Sequence, residues 1–477
     1  MKEYLITDFG AREDNHDCAP AINAAIESAF LAGGGLVRVA PGTWNSGTIE
    51  LKSNVELHLM AGAVLKCLLN EEAIKGFADE EAASALKVGF FVGAANADNV
   101  TISGGGEIYG QGEKTMIDDH SDGGFDESPF GIAEFRPKLS VFYNCENLTV
   151  RDVTIREAAS WTLHLCGCRH VRVDGIKIIN TDRGANNDGI DPDCCRDVKI
   201  TNCHVETGDD AIVVKSTKAM TERFGSCRDI LINNCTLHSR DSALKIGTET
   251  HDDIENVLFS NCIAYDCSRI LGIWARDGAT ISNIRATNII GSTRHYASSN
   301  RGYPNHWWGR GEPVFISAAP RNEQSPRPGK IRDIYIDGLK AKCESSLFIS
   351  GETGCEVENI FINNVDLDFV RQGTQPTGLF DEQPSIRDFR RHDIPAVYLS
   401  RAKKVFAQNL RVNFTDGEKE KWTGVLEAEN CRELDFDRVR GNVAKEGLPA
   451  AVIRGCEEVH MTDWRVDGAL GQGSELE

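Results

Sequence analysis

Asp197-Val198-Lys199-Ile200-Thr201-Asn202-Cys203 and Asp229-Ile230-Leu231-Ile232-Asn233-Asn234-Cys235 are two copies of one phrase. A β-branched or Leu residue opens a short apolar or alternating run, and an Asn-Cys pair closes it. The pair returns at Asn261-Cys262. The opener recurs at Leu148, Val171, Val198, Ile230, Val257, Ile284, Ile334, Ile360, Val405, Leu434 and Val459. Its intervals run from 23 to 32 residues, except for 50 after Ile284 and 45 after Ile360. A period of about 20–50 residues marks a solenoid, propeller or array. The runs are short, β-branched and punctuated by Gly, Asn and Asp, so the units are strands. No stretch of about 10–12 residues within the repeats holds a helical period. The Leu-x-x-Leu-x-Leu frame of a leucine-rich horseshoe is missing, and β-sandwiches space their turns more tightly, at about 8–12 residues. The reading is an all-β fold, a single-stranded right-handed parallel β-helix. Each coil would carry three short strands, with apolar residues and thiols stacked inside and Asn at the bends.

The expected organisation is one β-helix domain over residues 1–477, with residues 1–60 forming an N-terminal cap and the first coils. Ala21 to Ala32 is helix-like, with Ile22, Ala25, Ile26 and Phe30 on one face, and Gly33-Gly34-Gly35 ends it. A solenoid exposes apolar surface at its ends, and an amphipathic helix can cover it. Two long loop insertions are expected, at about 291–330 and 370–395. Long loops on a rigid scaffold are commonly functional.

Composition narrows the function. Lys+Arg is 52 against Asp+Glu 72, a net charge of −20, without the basic footprint of a nucleic-acid binder. No run approaches the roughly 18 apolar residues of a membrane span, and no secretory signal core follows Met1, so a cytoplasmic location is expected. The sixteen cysteines are spaced like core positions and no CxxC pair occurs, so they are read as reduced and buried, without a structural zinc site. Neither a metal nor a cofactor is expected. A vicinal disulfide at Cys194-Cys195 is the one exception worth testing.

The chemistry concentrates in Asn186-Asn187-Asp188-Gly189-Ile190-Asp191-Pro192-Asp193 and Thr207-Gly208-Asp209-Asp210. Asp188 precedes Asp210 by 22 residues and Asp191 precedes Asp209 by 18, about one coil. The two clusters should therefore stack on neighbouring strands, about 4.8 Å apart. Carboxylates so close raise at least one pKa, which is how a general acid is made near neutral pH. Two of them suffice to hydrolyse a glycosidic bond. Asp-Gly and Asn-Asp pairs also form turns, and Asp-rich loops also bind Ca²⁺.

These residues resemble glycoside hydrolase family 28, the polygalacturonase family of the pectin-lyase-like β-helices. The resemblance covers most of residues 1–290. It includes Asp8-Phe9-Gly10-Ala11, Pro41-Gly42-Thr43-Trp44, Arg136-Pro137 and Ser160-Trp161-Thr162-Leu163-His164. Its strongest part is Asn187-Asp188-Gly189-Ile190-Asp191 followed by Gly208-Asp209-Asp210-Ala211-Ile212 and Lys215-Ser216. It implies an inverting hydrolase that needs no metal, with Asp209 as general acid and Asp188 and Asp210 holding the water. Inversion calls for carboxyls roughly 6.5–9.5 Å apart.

The chain departs from the family in two places. Ser242 stands where the family's Gly-His-Gly has His, and Gly272 and Trp274 stand where its Arg-Ile-Lys has Arg and Lys. A Trp face suits the apolar side of a neutral sugar, whereas a uronate needs a cation. Lys245, Arg276 or the arginines of residues 294–310 could supply one. His306-Trp307-Trp308 is a further candidate for sugar contact, because exposed Trp usually packs or binds. Candidate substrate contacts are thus Asn187, Asp191, Lys215, Lys245, Trp274, Arg276, His306, Trp307 and Trp308. The expected partner is a pectin-derived α-linked oligosaccharide or polysaccharide, galacturonide or rhamnoside, cleaved from an end. A Ca²⁺-dependent lyase on the same scaffold and a carbohydrate-binding β-helix without turnover are the rivals.

Overall fold

A computed structural model describes residues 2–14, 16–117, 128–296, 309–415, 421–470 and 475–476. The chain divides into two compact units, one of Met1–Ser121 with Pro129–Thr236 and one built on Leu237–Glu477. The architecture is the expected right-handed parallel β-helix.

In the first unit each coil adds one strand to each of its stacked parallel sheets. One ladder carries Lys138–Tyr143, Ser160–Cys166, Ile190–Asp193 and Ile212–Ser216 in that order. Inward positions stack in register, Val150 on Val173, Val173 on Ile200 and Ile200 on Ile232, all without solvent exposure. Each such side chain contributes roughly 1.5–3 kcal/mol by leaving water. The Asn positions of the repeated phrase sit at bends with positive φ, 59° at Asn202 and 57° at Asn234. Their amides run a ladder between coils, Asn234 Nδ2 donating to Asn202 Oδ1 at 2.6 Å and Asn202 Nδ2 to Asp174 Oδ1 at 2.7 Å. Asn tolerates the left-handed bend and also bonds its copy one coil on.

The thiols behave as small core residues. Fifteen of the sixteen are buried, Cys456 is half-buried, and none is in a disulfide, Cys194 and Cys195 included. The capping helix spans Ala19–Leu31 and buries Ile22, Ala25, Ile26 and Ala29. Phe30 does not join that face. It is 40 % exposed, with the Lys52 ammonium over its ring.

The second unit repeats the pattern with longer strands. Ile281–Thr293, Lys330–Cys343, Glu356–Phe369, Ala402–Phe414, Arg432–Asn442 and Glu457–Asp467 pair in parallel in that order. Both segments expected as loops contain strands. Glu312–Ala318 lies within 291–330, and Leu379–Asp381 pairs antiparallel with Phe389–Arg391 within 370–395.

Candidate active site

Two loops of the first unit carry the carboxylates. One precedes the Ile190–Asp193 strand and the other precedes Ile212–Ser216. Asn187 locks them together. Its side-chain oxygen accepts the N–H groups of Gly208 (2.9 Å) and Asp209 (3.0 Å), and its amide donates to the Thr181 carbonyl (2.7 Å). Asn180 anchors the first loop from below, donating to Asn187 O and to Thr162 Oγ1. Gly208 must be glycine, since a Cβ there would lie 2.4 Å from Gly184 O. Asn187, read from the sequence as a sugar contact, is wholly buried and acts as a brace.

The result brings one carboxylate oxygen each of Asp188, Asp209 and Asp210 within 4.8 Å of one another. Asp188 and Asp210 are each 2 % exposed, while Asp209 is half-buried. Asp209 Oδ2 accepts Asn186 N at 3.0 Å, which aims its side chain. The Arg136 guanidinium binds Ala185 O (2.7 Å) and Asn186 Oδ1 (3.1 Å). Burial lowers the Arg136 pKa, while the charges of Asp209 and Asp188 oppose that.

Lys215 is buried beneath this trio. Its ammonium lies 3.0 Å from Asp188 Oδ2 and 3.3 Å from Asp191 Oδ1. Burial, and then the Asp188 charge, push the Asp191 carboxyl well above the usual range despite Lys215 and Lys138. Lys215 and Asp191 therefore support the trio from within the protein.

A second buried layer was not read from the sequence as part of the site. Lys138 Nζ contacts His164 Nδ1 at 2.8 Å, and His164 Nε2 lies 3.2 Å from Asp193 Oδ2. Asp193 also accepts the N–H (2.9 Å) and hydroxyl (2.6 Å) of Thr217. Burial and the Lys138 charge push the His164 imidazole down to about 4, so it is neutral near pH 7. Burial pulls the Lys138 ammonium down to about 8 against the neighbouring anions. Burial alone would raise Asp193, but hydrogen bonds from His164 and Thr217 outweigh it and hold the carboxyl low. The Trp161 ring carries both ammonium groups, Lys138 at 3.5 Å and Lys215 at 3.8 Å from its centroid. The sequence signals for this layer were the Ser160 to His164 segment and Asp193 at the end of the acidic stretch; Lys138 lies one coil earlier.

A cation could be held by Asp188, Asp209 and Asp210, but Asp188 Oδ2 already faces Lys215. His392, Glu427 and Glu429 also converge, with Arg454 on Glu427 (2.7 Å) and Tyr398 donating to Glu429 (2.9 Å).

This geometry coincides with a family match: residues 55–292 fit the glycosyl hydrolases family 28. The chain belongs to glycoside hydrolase family 28. A probable polygalacturonase of Vitis vinifera is 28% identical over 193 residues, 39% of this chain and 37% of that protein. An exopolygalacturonase of Oenothera organensis is 27% identical over 192 residues, 39% of this chain and 47% of that protein. The chain thus spans less than half the length of these two relatives. The family 28 exopolygalacturonase of Yersinia enterocolitica, at 17% identity, superposes with a TM-score of 0.64 over 96% of this chain and 78% of its own, which shows the fold.

The family's missing cations have a structural counterpart in the second unit. Trp274 is not a sugar platform. It is wholly buried against Phe315, centroids 4.9 Å apart, and its Nε1 has no hydrogen-bond partner among the described residues. Gly272 is the reason, because a Cβ there would lie 2.1 Å from the indole. Arg276 is not available to a uronate either. It is wholly buried and donates to Pro384 O (2.7 Å), Ser317 O (2.8 Å) and Glu382 O (3.0 Å). Lys245 is buried 3.5 Å from Asp241, and Ser242, in the place of the family's His, donates to Asp241 (3.0 Å). His306, Trp307 and Trp308 lie outside the described residues.

Proposed function

We propose that the chain is an inverting, exo-acting glycoside hydrolase of pectin-derived α-linked oligosaccharides, galacturonides or rhamnosides. The observation that carries this is the trio of converging carboxylates with unequal exposure. Asp209, the half-buried member, reaches the leaving oxygen and protonates it. Asp188 and Asp210 are buried and hold the attacking water, and the Lys215 ammonium lies 3.0 Å from Asp188 Oδ2. General acid and base groups of this kind contribute roughly 10²–10⁴-fold each. The names of the two plant relatives support pectin as substrate, and one of them supports attack from a chain end. Since Trp274 is buried, a neutral sugar is supported by the missing Arg and Lys alone.

A retaining hydrolase, in which one carboxylate attacks the sugar directly and forms a glycosyl-enzyme, is the reading against which inversion is tested. One experiment separates the readings and names the sugar. The enzyme is given a mixed digest of oligogalacturonides and rhamnogalacturonan oligosaccharides, and the anomeric region is followed by ¹H NMR. Inversion releases a monosaccharide first seen as the β anomer, and retention releases the α anomer. Absorbance at 235 nm that disappears with EDTA would replace both readings by a lyase.

A further inference from the structure

One outward column of the second unit reads, in register, Arg285, Tyr335, Phe361, Phe406, Asp435, His460. Its first part is a closed stack. The Arg285 guanidinium lies 4.2 Å from the Tyr335 centroid, Tyr335 and Phe361 stack at 4.6 Å and 3°, and Phe361 and Phe406 at 5.2 Å and 17°. At Asp435 the stack stops, because a short carboxylate replaces a ring. The next ring is His460, two strand steps from Phe406, about 9.6 Å. Between them opens a cleft of about 610 Å³, with Gln408, Asp437 and Thr462 along one wall. It falls within the size range of about 300–1,000 Å³ for small-ligand sites.

We propose that this cleft binds a neutral pyranose residue, apart from the carboxylate trio. Two van der Waals contacts of about 3.5–4.0 Å each span roughly 7–8 Å, so one puckered sugar ring fits between Phe406 and His460. Phe406 offers an apolar face to the C–H side of the ring. Asp435, at the floor, accepts from vicinal hydroxyls; neither it nor His460 has a hydrogen bond or ion pair among the described residues. Asp437 is fixed by Thr462 Oγ1 (2.7 Å) and by the neighbouring Arg438 (3.1 Å). Two carboxylates line the cleft and His460 is its only lining base, so an anionic sugar is repelled. The occupant is a neutral residue, such as one on a side branch of a polysaccharide. The site does not depend on hydrolysis, because none of its residues belongs to the trio.

The test is saturation-transfer NMR with methyl β-D-galactopyranoside, and with methyl α-D-galactopyranosiduronate as the charged control. Transfer to the neutral glycoside is expected, with binding of the charged one at least tenfold weaker. Asp435→Phe continues the ring stack into the cleft and should abolish transfer. His460→Ala, at an exposed position, should weaken binding at least tenfold and keeps the test open if Asp435→Phe fails to fold. No transfer to the wild type, transfer undiminished in both variants, or equal binding of the charged glycoside would each overturn the proposal.

Discussion

Each unit buries a cluster of charges on its strand ladder, and the two clusters differ in balance. In the second unit Arg269 pairs with Glu312 at 3.2 Å, Lys245 with Asp241 at 3.5 Å and Arg310 with Asp381 at 2.6 Å, cation for anion. In the first unit Asp188 and Asp191 both lie against Lys215, and Asp188, Asp209 and Asp210 converge on one another. A balanced buried cluster compensates its own desolvation and needs no ligand. A surplus of carboxylates costs stability, and folds keep such surpluses where chemistry uses them. The difference supports the proposal that the reaction belongs to the first unit and that the second unit's cluster is architecture.

The largest expected effect attacks the surplus directly. Asp209→Asn should lower kcat by about 10²–10⁴-fold and leave the melting temperature unchanged or higher, since one repelling charge is gone. A variant that loses activity only by melting earlier would make Asp209 a structural residue. Next comes Lys215, the cation set against Asp188 and Asp191. Lys215→Met removes the ammonium 3.0 Å from Asp188 and 3.3 Å from Asp191, and breaking a buried pair costs roughly 3–5 kcal/mol. Urea unfolding at pH 7 should show that loss, and it should shrink at pH 5 as carboxylates take up protons. A loss of less than about 1 kcal/mol would mean that Lys215 does not hold the cluster.

Much of the first unit was legible because its signals are local. The Asn-Cys phrase reports a bend and a core position, and both recur wherever the phrase does. Asp188, Asp209 and Asp210 lie in stretches too polar to be core, and one coil of separation brings them together. The layer beneath them was not legible. Lys138, His164 and Asp193 lie on three successive coils and share no spacing motif. The second unit misled for a related reason. Trp274 stands where a sugar-facing residue is expected, but the space emptied at Gly272 admits its ring to the interior. Sequence position fixed the coil of each residue, and side-chain volume decided where it pointed.

The buried layer is open to a pH measurement. The unfolded chain takes up a proton on His164 near pH 6.5, the folded chain only near 4. Between those values the unfolded state binds more protons, so stability rises with pH across the window, by at most about 1.4 kcal/mol per unit. The contribution is fully present above 6.5 and lost as pH falls through the window to about 4. His164→Gln should flatten that slope in urea titrations from pH 4 to 6.5. An unchanged slope would show that His164 is protonated in the folded state and that the Lys138–His164–Asp193 chain is wrongly ordered.

The smallest effect belongs to Trp274, and its smallness is what decides its role. The ring is wholly buried and its Nε1 has no hydrogen-bond partner among the described residues, so Phe at this position loses area but keeps a ring face toward Lys245 and Arg269. Exchanges between apolar groups of similar volume commonly cost under about 1.5 kcal/mol, and the buried N–H offsets part of that by no longer needing a partner. Trp274→Phe should therefore shift stability by less than about 1.5 kcal/mol and leave KM for the preferred oligosaccharide unchanged. A several-fold rise in KM at unchanged stability would return Trp274 to the substrate. An unchanged KM assigns the tryptophan to the same category as Arg269 and Glu312, residues whose charge or volume the fold has already balanced.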